Sequence, residues 1–269
     1  MTRCVAQTSN TSLDSVPASF PHRLLQASQK VAASLTDVMY PPQCTFCCEQ
    51  LASVETSAQL CQTCEQVLGT CATNSCPRCA LPVSDSTAKR TSCVRCLHQK
   101  LHFERTYALG PYQGKLQEAV VRVKYPHEHA LATSLGRLLA SKISLSQSFC
   151  QTNTVVVPIP TNWLRRLVRG VNTPDYIAAP VGRNWHLPVF SDLLHCCRKV
   201  NKQSSLSPRD RLRNIRNAFR VSKSYNIGGT EVILVDDVMT TGATVNEAAR
   251  VLSASGASRI TVLVLARAA

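Results

Sequence analysis

The spacing of hydrophobic positions along the chain changes near Tyr107. Residues 1 to 20 show no periodicity. The stretch up to Pro41 then carries apolar residues at roughly helical spacing: Leu24, Leu25, Val31, Leu35 and Val38. Residues 44 to 96 hold too few large apolar side chains to fold by burial alone. The pattern therefore predicts a loose tail, one helix, and a segment that a bound metal must stabilise.

Beyond Tyr107 the pattern is typical of an α/β domain. Residues 116 to 139 are predicted to form helical pieces on either side of Pro126, and residues 154 to 157 a short β-branched strand ended by Pro158. A clearer unit follows: a strand over 232–235, a polar turn with glycine, a helix over about 244–254 that stops at Gly256, and a strand over 260–265. This order is a βαβ unit and predicts a parallel sheet flanked by helices.

Length and composition set the domain organisation. The 269 residues, 44% of them apolar, suit one medium domain with a smaller appendage. We predict a tail with a short helix over 1–40, a cysteine-rich domain over 41–102 and an α/β domain over 103–269. No apolar run approaches the length of a membrane span, and the first forty residues lack the apolar centre of a secretory signal. We therefore expect a cytoplasmic protein without membrane insertion.

Charge points to phosphate-bearing partners. The net charge is +14, and residues 160 to 220 hold twelve Lys or Arg against three Asp or Glu, which supplies +9 of the total. Such a basic concentration favours binding of phosphates or nucleic acid. Each cation alone is more typical of a solvated surface charge.

Eight of the fourteen cysteines form two copies of one pattern, 32 residues apart. In each copy, two CxxC pairs are separated by thirteen residues, and the eight are Cys44, Cys47, Cys61, Cys64, Cys76, Cys79, Cys93 and Cys96. Two CxxC turns present four thiolates to one ion, so the pattern predicts a double zinc ribbon with two structural Zn²⁺ sites. Four thiolates leave no open position for catalysis.

Other interpretations of these cysteines stay open at this point. The ribbons could contact nucleic acid or a protein partner, an iron-sulfur cluster also takes four cysteines, and the pairs could interleave. Cys48 and Cys71 lie close enough to replace a neighbouring ligand. The remaining cysteines are interpreted as ordinary thiols: Cys4, Cys150, Cys196 and Cys197.

The segment VILVDDVMTTGAT places chemistry at the end of a predicted strand. Asp236 and Asp237 would accept ribose hydroxyls, and the loop that follows would cradle a phosphate at a helix N-terminus. The loop residues are Thr240, Thr241, Gly242, Ala243 and Thr244. Asp237 could instead be a plain turn residue and the threonines a helix cap, which accounts for single positions only.

This segment resembles the PRPP-binding motif of type I phosphoribosyltransferases, and the whole chain resembles the ComF family over about residues 35 to 267. The resemblance rests on the cysteine repeat, VVVPIP, RGVN at Arg169–Asn172 and a Q-x-x-L run leading to R-x-x-N and phenylalanine. The counterparts of the family's typical residues are Lys124, Tyr125, Gln203, Leu206, Arg211, Asn214 and Phe219. Val171 and Thr173 depart from the usual RGFNQ, so the role of that glutamine is not carried over.

The resemblance implies a type I phosphoribosyltransferase-like fold that binds PRPP with Mg²⁺. It also implies a pyrophosphate loop in the turn after Val157, with basic residues around it. The loop residues are Pro158, Ile159, Pro160 and Thr161, and the basic candidates are Lys124, Arg165, Arg166, Arg169 and Arg211. Residues 198 to 216 would be either a loop that closes over substrate or a surface helix.

Two functions follow from this interpretation. One is a glycosyltransferase that moves phosphoribose from PRPP to an acceptor which the sequence does not identify. The alternative is a non-catalytic module that binds a nucleotide or single-stranded DNA on its basic face. The family resemblance implies a role in DNA uptake during natural competence, with competence or DNA-processing proteins as partners, and homologous enzymes often form homodimers.

Overall fold

A computed structural model describes residues 41–51, 58–70, 74–83, 92–143, 153–161, 172–197 and 215–268. The chain divides at Pro42, and residues Gln43–Ala269 form one compact unit. Several predictions lie outside the described ranges: the helix before Pro41, the basic residues Arg165, Arg166, Arg169 and Arg211, the motif residues Gln203, Leu206 and Asn214, and most of the predicted closing segment.

The described strands fall into two sheets. They are β1 (Arg105–Pro111), β2 (Thr154–Pro158), β3 (Leu194–Cys196), β4 (Phe219–Val221), β5 (Glu231–Met239) and β6 (Arg259–Arg267). A parallel sheet has the order β1-β6-β5-β2, whereas β3 and β4 form an antiparallel pair. All of β2 and nearly all of β6 are buried, because parallel strands are covered on both faces.

Helices cover this sheet on both sides. They are α1 (Gln62–Leu68), α2 (Val94–Leu97), α3 (Gly114–Arg122), α4 (His129–Lys142), α5 (Thr173–Trp185) and α6 (Ala243–Ala254). Pro126 opens a short 3-10 turn between α3 and α4, since proline suits a first helical position but not an interior one. Within the described ranges, no helix is long and apolar enough to cross a membrane.

Alternate side chains of the central strands build two separate cores. Ile233 and Leu263 pack on one face with α3, α4, α5 and the first cysteine cluster, whereas Leu234 and Val262 pack on the other face with α6 and the second cluster. Successive residues of a strand point to opposite faces, so the two clusters lie on opposite sides of the sheet. Each cysteine-rich segment thus extends one core.

Most of the predicted elements are confirmed. The helical pieces around Pro126, the strand before Pro158 and the parallel βαβ unit of β5, α6 and β6 are all present. One prediction was wrong: β5 does not end at Val235 but continues to Met239, because Val238 and Met239 still pair with β6. Asp236 and Asp237 therefore lie inside the strand rather than after it.

Candidate functional site

The eight predicted cysteine ligands gather into two groups of four. The first group is Cys44, Cys47, Cys61 and Cys64, and the second is Cys76, Cys79, Cys93 and Cys96. Within each group the sulfur atoms lie within 4.8 Å of one another. The pairs therefore combine with the next pair along the chain and do not interleave, and exposed Cys48 is outside the group.

Distances between sulfur atoms match a tetrahedral zinc site. The Sγ atoms are 3.7 Å apart for Cys47 and Cys61, and 3.8 Å apart for Cys79 and Cys93. A Zn–S bond of about 2.3 Å gives tetrahedral edges of about 3.8 Å, whereas a disulfide would need about 2 Å. The cysteines fit two closed Cys4 zinc sites, in which the metal would supply folding stability.

Both sites are built by the same local turn. Cys48 and Ala80, each directly after the first CxxC of its site, have positive φ angles of 64° and 55°. Their amides donate to the carbonyls of Cys44 and Cys76 at 2.9 and 2.8 Å. Burial raises the pKa of the Cys44 thiol, but hydrogen bonds from nearby backbone amides outweigh it and lower that pKa to about 7. The first cysteine of each site thus favours its thiolate, since the pKa of Cys76 is lowered as well, whereas burial raises the pKa of four other ligands: Cys61, Cys64, Cys79 and Cys96.

The sites differ in exposure. All four cysteines of the second site are buried, whereas Cys47 of the first site is exposed and Cys61 is half-buried. Cys61 and Cys93 each precede a helix, α1 and α2 respectively, so equivalent ligands occupy equivalent positions in the two ribbons. The second site is therefore shielded by the sheet while the first meets solvent.

The paired acids occupy the carboxyl-terminal half of β5. Asp236 Oδ1 accepts the amide of Asp237 at 2.9 Å, and Asp237 Oδ1 accepts the amide of Val238 at 2.8 Å. Burial, and then the charge of Asp237, raise the pKa of Asp236 well above its usual range. Two carboxylates are thus held side by side at the edge where parallel sheets bind ligands.

Lys124 reaches the same edge from the segment after α3. Its Nζ lies 3.7 Å from Oδ2 of Asp237, with both side chains partly exposed. The resemblance had suggested Lys124 as a ligand contact, and the structure brings it to the acids. This places a cation beside the carboxylate of Asp237.

The predicted phosphate loop joins β5 to α6. Gly242 has a φ of 80°, a left-handed conformation that glycine adopts without strain. Thr241 Oγ1 accepts the amide of Ala243 at 3.3 Å, but the N-cap residue of α6 is Gly242, which makes no side-chain cap hydrogen bond. Helix α6 begins directly after this loop, and the free amides of a first helical turn suit anions.

The turn after β2 lies beside the acids. Pro158 pairs with Val235, so Ile159–Thr161 continue alongside Asp236. Asn172 Oδ1 accepts the amide of Thr161 at 3.0 Å. The Thr161 hydroxyl is buried, and the described part of the chain offers it no hydrogen-bond partner. An unsatisfied hydroxyl in a loop of this kind suits a ligand oxygen.

Two anchoring residues escaped the sequence analysis. Asn172 appeared only as the end of RGVN, although its side chain holds the turn at Thr161. Arg267 lay outside the predicted strand over 260–265, although it is buried and donates to the carbonyl of Met239 at 2.8 Å. The motif itself was the available signal for Asn172, and no local pattern marks Arg267.

Comparison with known proteins agrees with this architecture. Residues 35–97 match the double zinc ribbon domain, and residues 190–269 match the phosphoribosyl transferase domain. The DNA utilization protein YhgH of Escherichia coli is 31% identical over 210 residues, which cover 77% of this chain and 90% of that protein. The chain belongs to the ComF family. Competence protein F of Haemophilus influenzae, a further ComF-family relative, is 29% identical over 78% of this chain and 90% of that protein. Competence protein ComFC of Bacillus subtilis is 23% identical over 84% of this chain and 90% of that protein.

Proposed function

We propose that this ComF-family chain binds PRPP or a related ribose 5-phosphate ester together with Mg²⁺. The observation that carries the proposal is the meeting of three segments at one sheet edge: the acids of β5, the loop before α6 and the turn after β2. Lys124 adds a cation beside Asp237. Together these segments supply partners for ribose hydroxyls, a phosphate and a pyrophosphate.

Each segment takes one part of the ligand in this proposal. The carboxylates of Asp236 and Asp237 accept the ribose hydroxyls, and the amides and hydroxyls of Thr240–Thr244 hold the 5-phosphate. The turn Pro158–Thr161, whose buried Thr161 hydroxyl has no partner among the described residues, holds the pyrophosphate. We keep Arg169 and Arg211 as further pyrophosphate contacts.

The site also fits Mg²⁺. Hard carboxylate oxygens are available at Asp236 and Asp237, and Mg²⁺ in proteins is commonly held by one or two carboxylates together with substrate phosphates. When bound, the ion supplies positive charge against a departing pyrophosphate. Transfer of phosphoribose to an acceptor is the reaction that such binding serves.

The relatives give this binding a biological setting. They carry the names DNA utilization protein and competence protein, and residues 160 to 220 of this chain are strongly basic. We infer a cytoplasmic role in DNA uptake or use, with competence or DNA-processing proteins as partners. A homodimer is part of the same inference from type I enzymes.

A second candidate is binding of a nucleotide or single-stranded DNA, and one observation favours it. Tyr125 follows Lys124, is 54% exposed and stacks on His127 with ring centroids 5.9 Å apart. Exposed aromatic rings beside cations are typical platforms for bases. In this candidate Tyr125→Ala weakens oligonucleotide binding by about tenfold and leaves PRPP binding unchanged.

Titration calorimetry of the zinc-loaded protein with PRPP, with and without Mg²⁺, tests the first candidate. Binding should require Mg²⁺ and be lost in the Asp236→Asn, Asp237→Asn double variant. Lys124→Met should weaken binding by about tenfold or more, since hydrogen bonds to charged groups contribute about 1.5–3 kcal/mol. Lys115→Met is the matched control, because Lys115 pairs with the exposed Glu118 and lies over the ring of Phe46 rather than beside the acids.

The outcomes separate the two candidates. A well-folded wild-type protein that fails to bind PRPP rejects the sugar-phosphate site. Oligonucleotide binding that weakens steeply with salt and survives loss of both acids supports the nucleic-acid candidate instead.

A further inference from the structure

Arg267 connects the second zinc ribbon to the start of the phosphate loop. Its side chain is 2% exposed, and its Nε donates to the carbonyl of Cys79 at 2.7 Å. Its Nη1 donates to the carbonyl of Met239 at 2.8 Å and also contacts the carbonyls of Thr240 and Ala268. One guanidinium thus bridges a zinc-ligating turn and the loop that precedes α6.

Three consecutive backbone carbonyls of the second zinc ribbon accept hydrogen bonds from the sheet. Thr106 of β1 donates its amide to Pro77 at 3.2 Å and its hydroxyl to Arg78 at 2.8 Å. The next carbonyl, that of Cys79, accepts Arg267. Any change in the shape of this turn is therefore transmitted directly to β1 and to the end of β6.

Arg267 also needs a counter-charge, because its side chain is buried. Among the described residues, no carboxylate forms an ion pair with it, and an unpaired buried cation is costly. A zinc ion bound by four thiolates keeps a net negative charge, which makes the cluster the counter-charge of this arginine.

We propose that Arg267 is a positioning residue that couples the second zinc site to the phosphate loop. The zinc-bound turn fixes the guanidinium, and the guanidinium fixes the carbonyls of Met239 and Thr240, which orient the amides that open α6. The predicted effect of zinc on ligand affinity rests on the proposed sugar-phosphate binding. Zinc at the second site would therefore support ligand affinity without touching ligand.

Thermodynamic coupling distinguishes this role from simple packing of the ribbon. If the loop and the second zinc site are linked, ligand binding must raise the affinity of that site for zinc by the same factor by which zinc raises ligand affinity. Typical couplings of this kind are about fivefold or more. An arginine that only holds the ribbon in place produces no such reciprocity.

The experiment measures zinc affinity by equilibrium competition with a chromogenic chelator, with and without PRPP and Mg²⁺. Pulse alkylation of freed thiols, resolved by peptide mass spectrometry, separates the two sites. PRPP should strengthen the second site by about fivefold or more, leave the first site unchanged, and have no effect in Arg267→Lys. Arg259→Met, at the other end of β6, is the control and should behave as wild type.

Hydrogen exchange gives a readout that needs no ligand. Amides 240–243 should exchange faster in Arg267→Lys and Arg267→Met, and after zinc is withdrawn from the second site, but not in Arg259→Met. If PRPP binds while the second site keeps the same zinc affinity, the coupling is wrong. If PRPP does not bind, the proposed function fails, and exchange alone decides whether Arg267 holds the loop.

Discussion

Asp236 is kept in surroundings that oppose its own ionisation. Burial and the adjacent charge of Asp237 both raise its pKa, and Lys124 lies on Asp237 rather than between the two acids. The ionised carboxylate of Asp236 is therefore destabilised in the folded protein. In the proposed site, a ribose hydroxyl that donates to this carboxylate would lower that cost. Sites of function commonly sacrifice stability in this way.

Asp236→Asn should stabilise the protein in magnesium-free buffer. Because the folded pKa lies above the unfolded one, the ionised carboxylate destabilises the fold increasingly as pH rises from the ordinary carboxyl range through the raised value. We expect a gain of about 1 kcal/mol at pH 8, the usual size for a stabilising substitution, and little gain at pH 4. Urea unfolding at both pH values measures it, with exposed Asp192→Asn as control.

At the scale of elements, the first turn of α5 supports the turn after β2. Asn172 accepts the amide of Thr161 and donates to Asp175 Oδ1 at 2.8 Å, and it is 5% exposed. The start of α5 and the turn after β2 are therefore parts of one hydrogen-bonded unit. A shift of α5 would move the turn with it.

Asn172→Ala should damage both stability and pyrophosphate binding. It leaves buried polar groups without partners, so we expect a loss of about 1–3 kcal/mol in unfolding free energy. Calorimetry should show that PRPP loses affinity by a larger factor than ribose 5-phosphate, which lacks the pyrophosphate. Asn184→Ala, on the exposed end of the same helix, is the control and should leave both affinities unchanged. If Asn172→Ala lowers the affinity for both ligands by the same factor, the turn after β2 does not bind the pyrophosphate.

At the scale of the whole molecule, two similar zinc ribbons serve two different cores. The first packs with α3, α4 and α5, and the second packs against the face that carries α6. On the first face, Arg122 donates to the carbonyl of Phe46 at 2.7 Å and lies over its ring, which ties that ribbon to α3. The metal sites thus reinforce both sides of one sheet.

Zinc should leave the two sites in distinguishable steps. We expect two zinc ions per chain and, with excess chelator, a fast and a slow phase of equal amplitude, because the first site is exposed at Cys47 and the second is fully buried. Absorbance of the chelator complex measures both phases. The melting temperature should fall most during the slow phase of zinc release, when the second site loses its ion. A single phase of zinc release would show that both zinc sites open together.

Local patterns in the sequence predicted the parts of the fold that local chemistry determines. The CxxC spacing identified all eight zinc ligands, and strand, TTG and helix signals around Asp236 identified the β5–α6 unit. Strand β1, helix α5 and the β3–β4 pair were not identified. The strand β1 lacks a β-branched run, so pairing with β6 determines it more than propensity does.

Contacts between distant residues account for the rest of the site. Arg267 and Cys79 are 188 residues apart, and a buried arginine looks in sequence like any surface charge. The same holds for Lys124 beside Asp237, which a family resemblance suggested but no spacing required. Partners of this kind follow from the packed sheet rather than from neighbouring residues.

The position of β6 in the sheet affects how the protein folds during translation. This strand follows every other described strand in the chain, yet it lies between β1 and β5 in the sheet. Until β6 has been synthesised, β1 lacks the strand with which it pairs. The Cys79 carbonyl of the second ribbon likewise lacks its hydrogen-bond donor, Arg267. The cysteines come out early, so zinc capture can begin during translation while the sheet remains open. A nascent chain stalled before Arg259 should therefore hold metal and yet lack the ligand site.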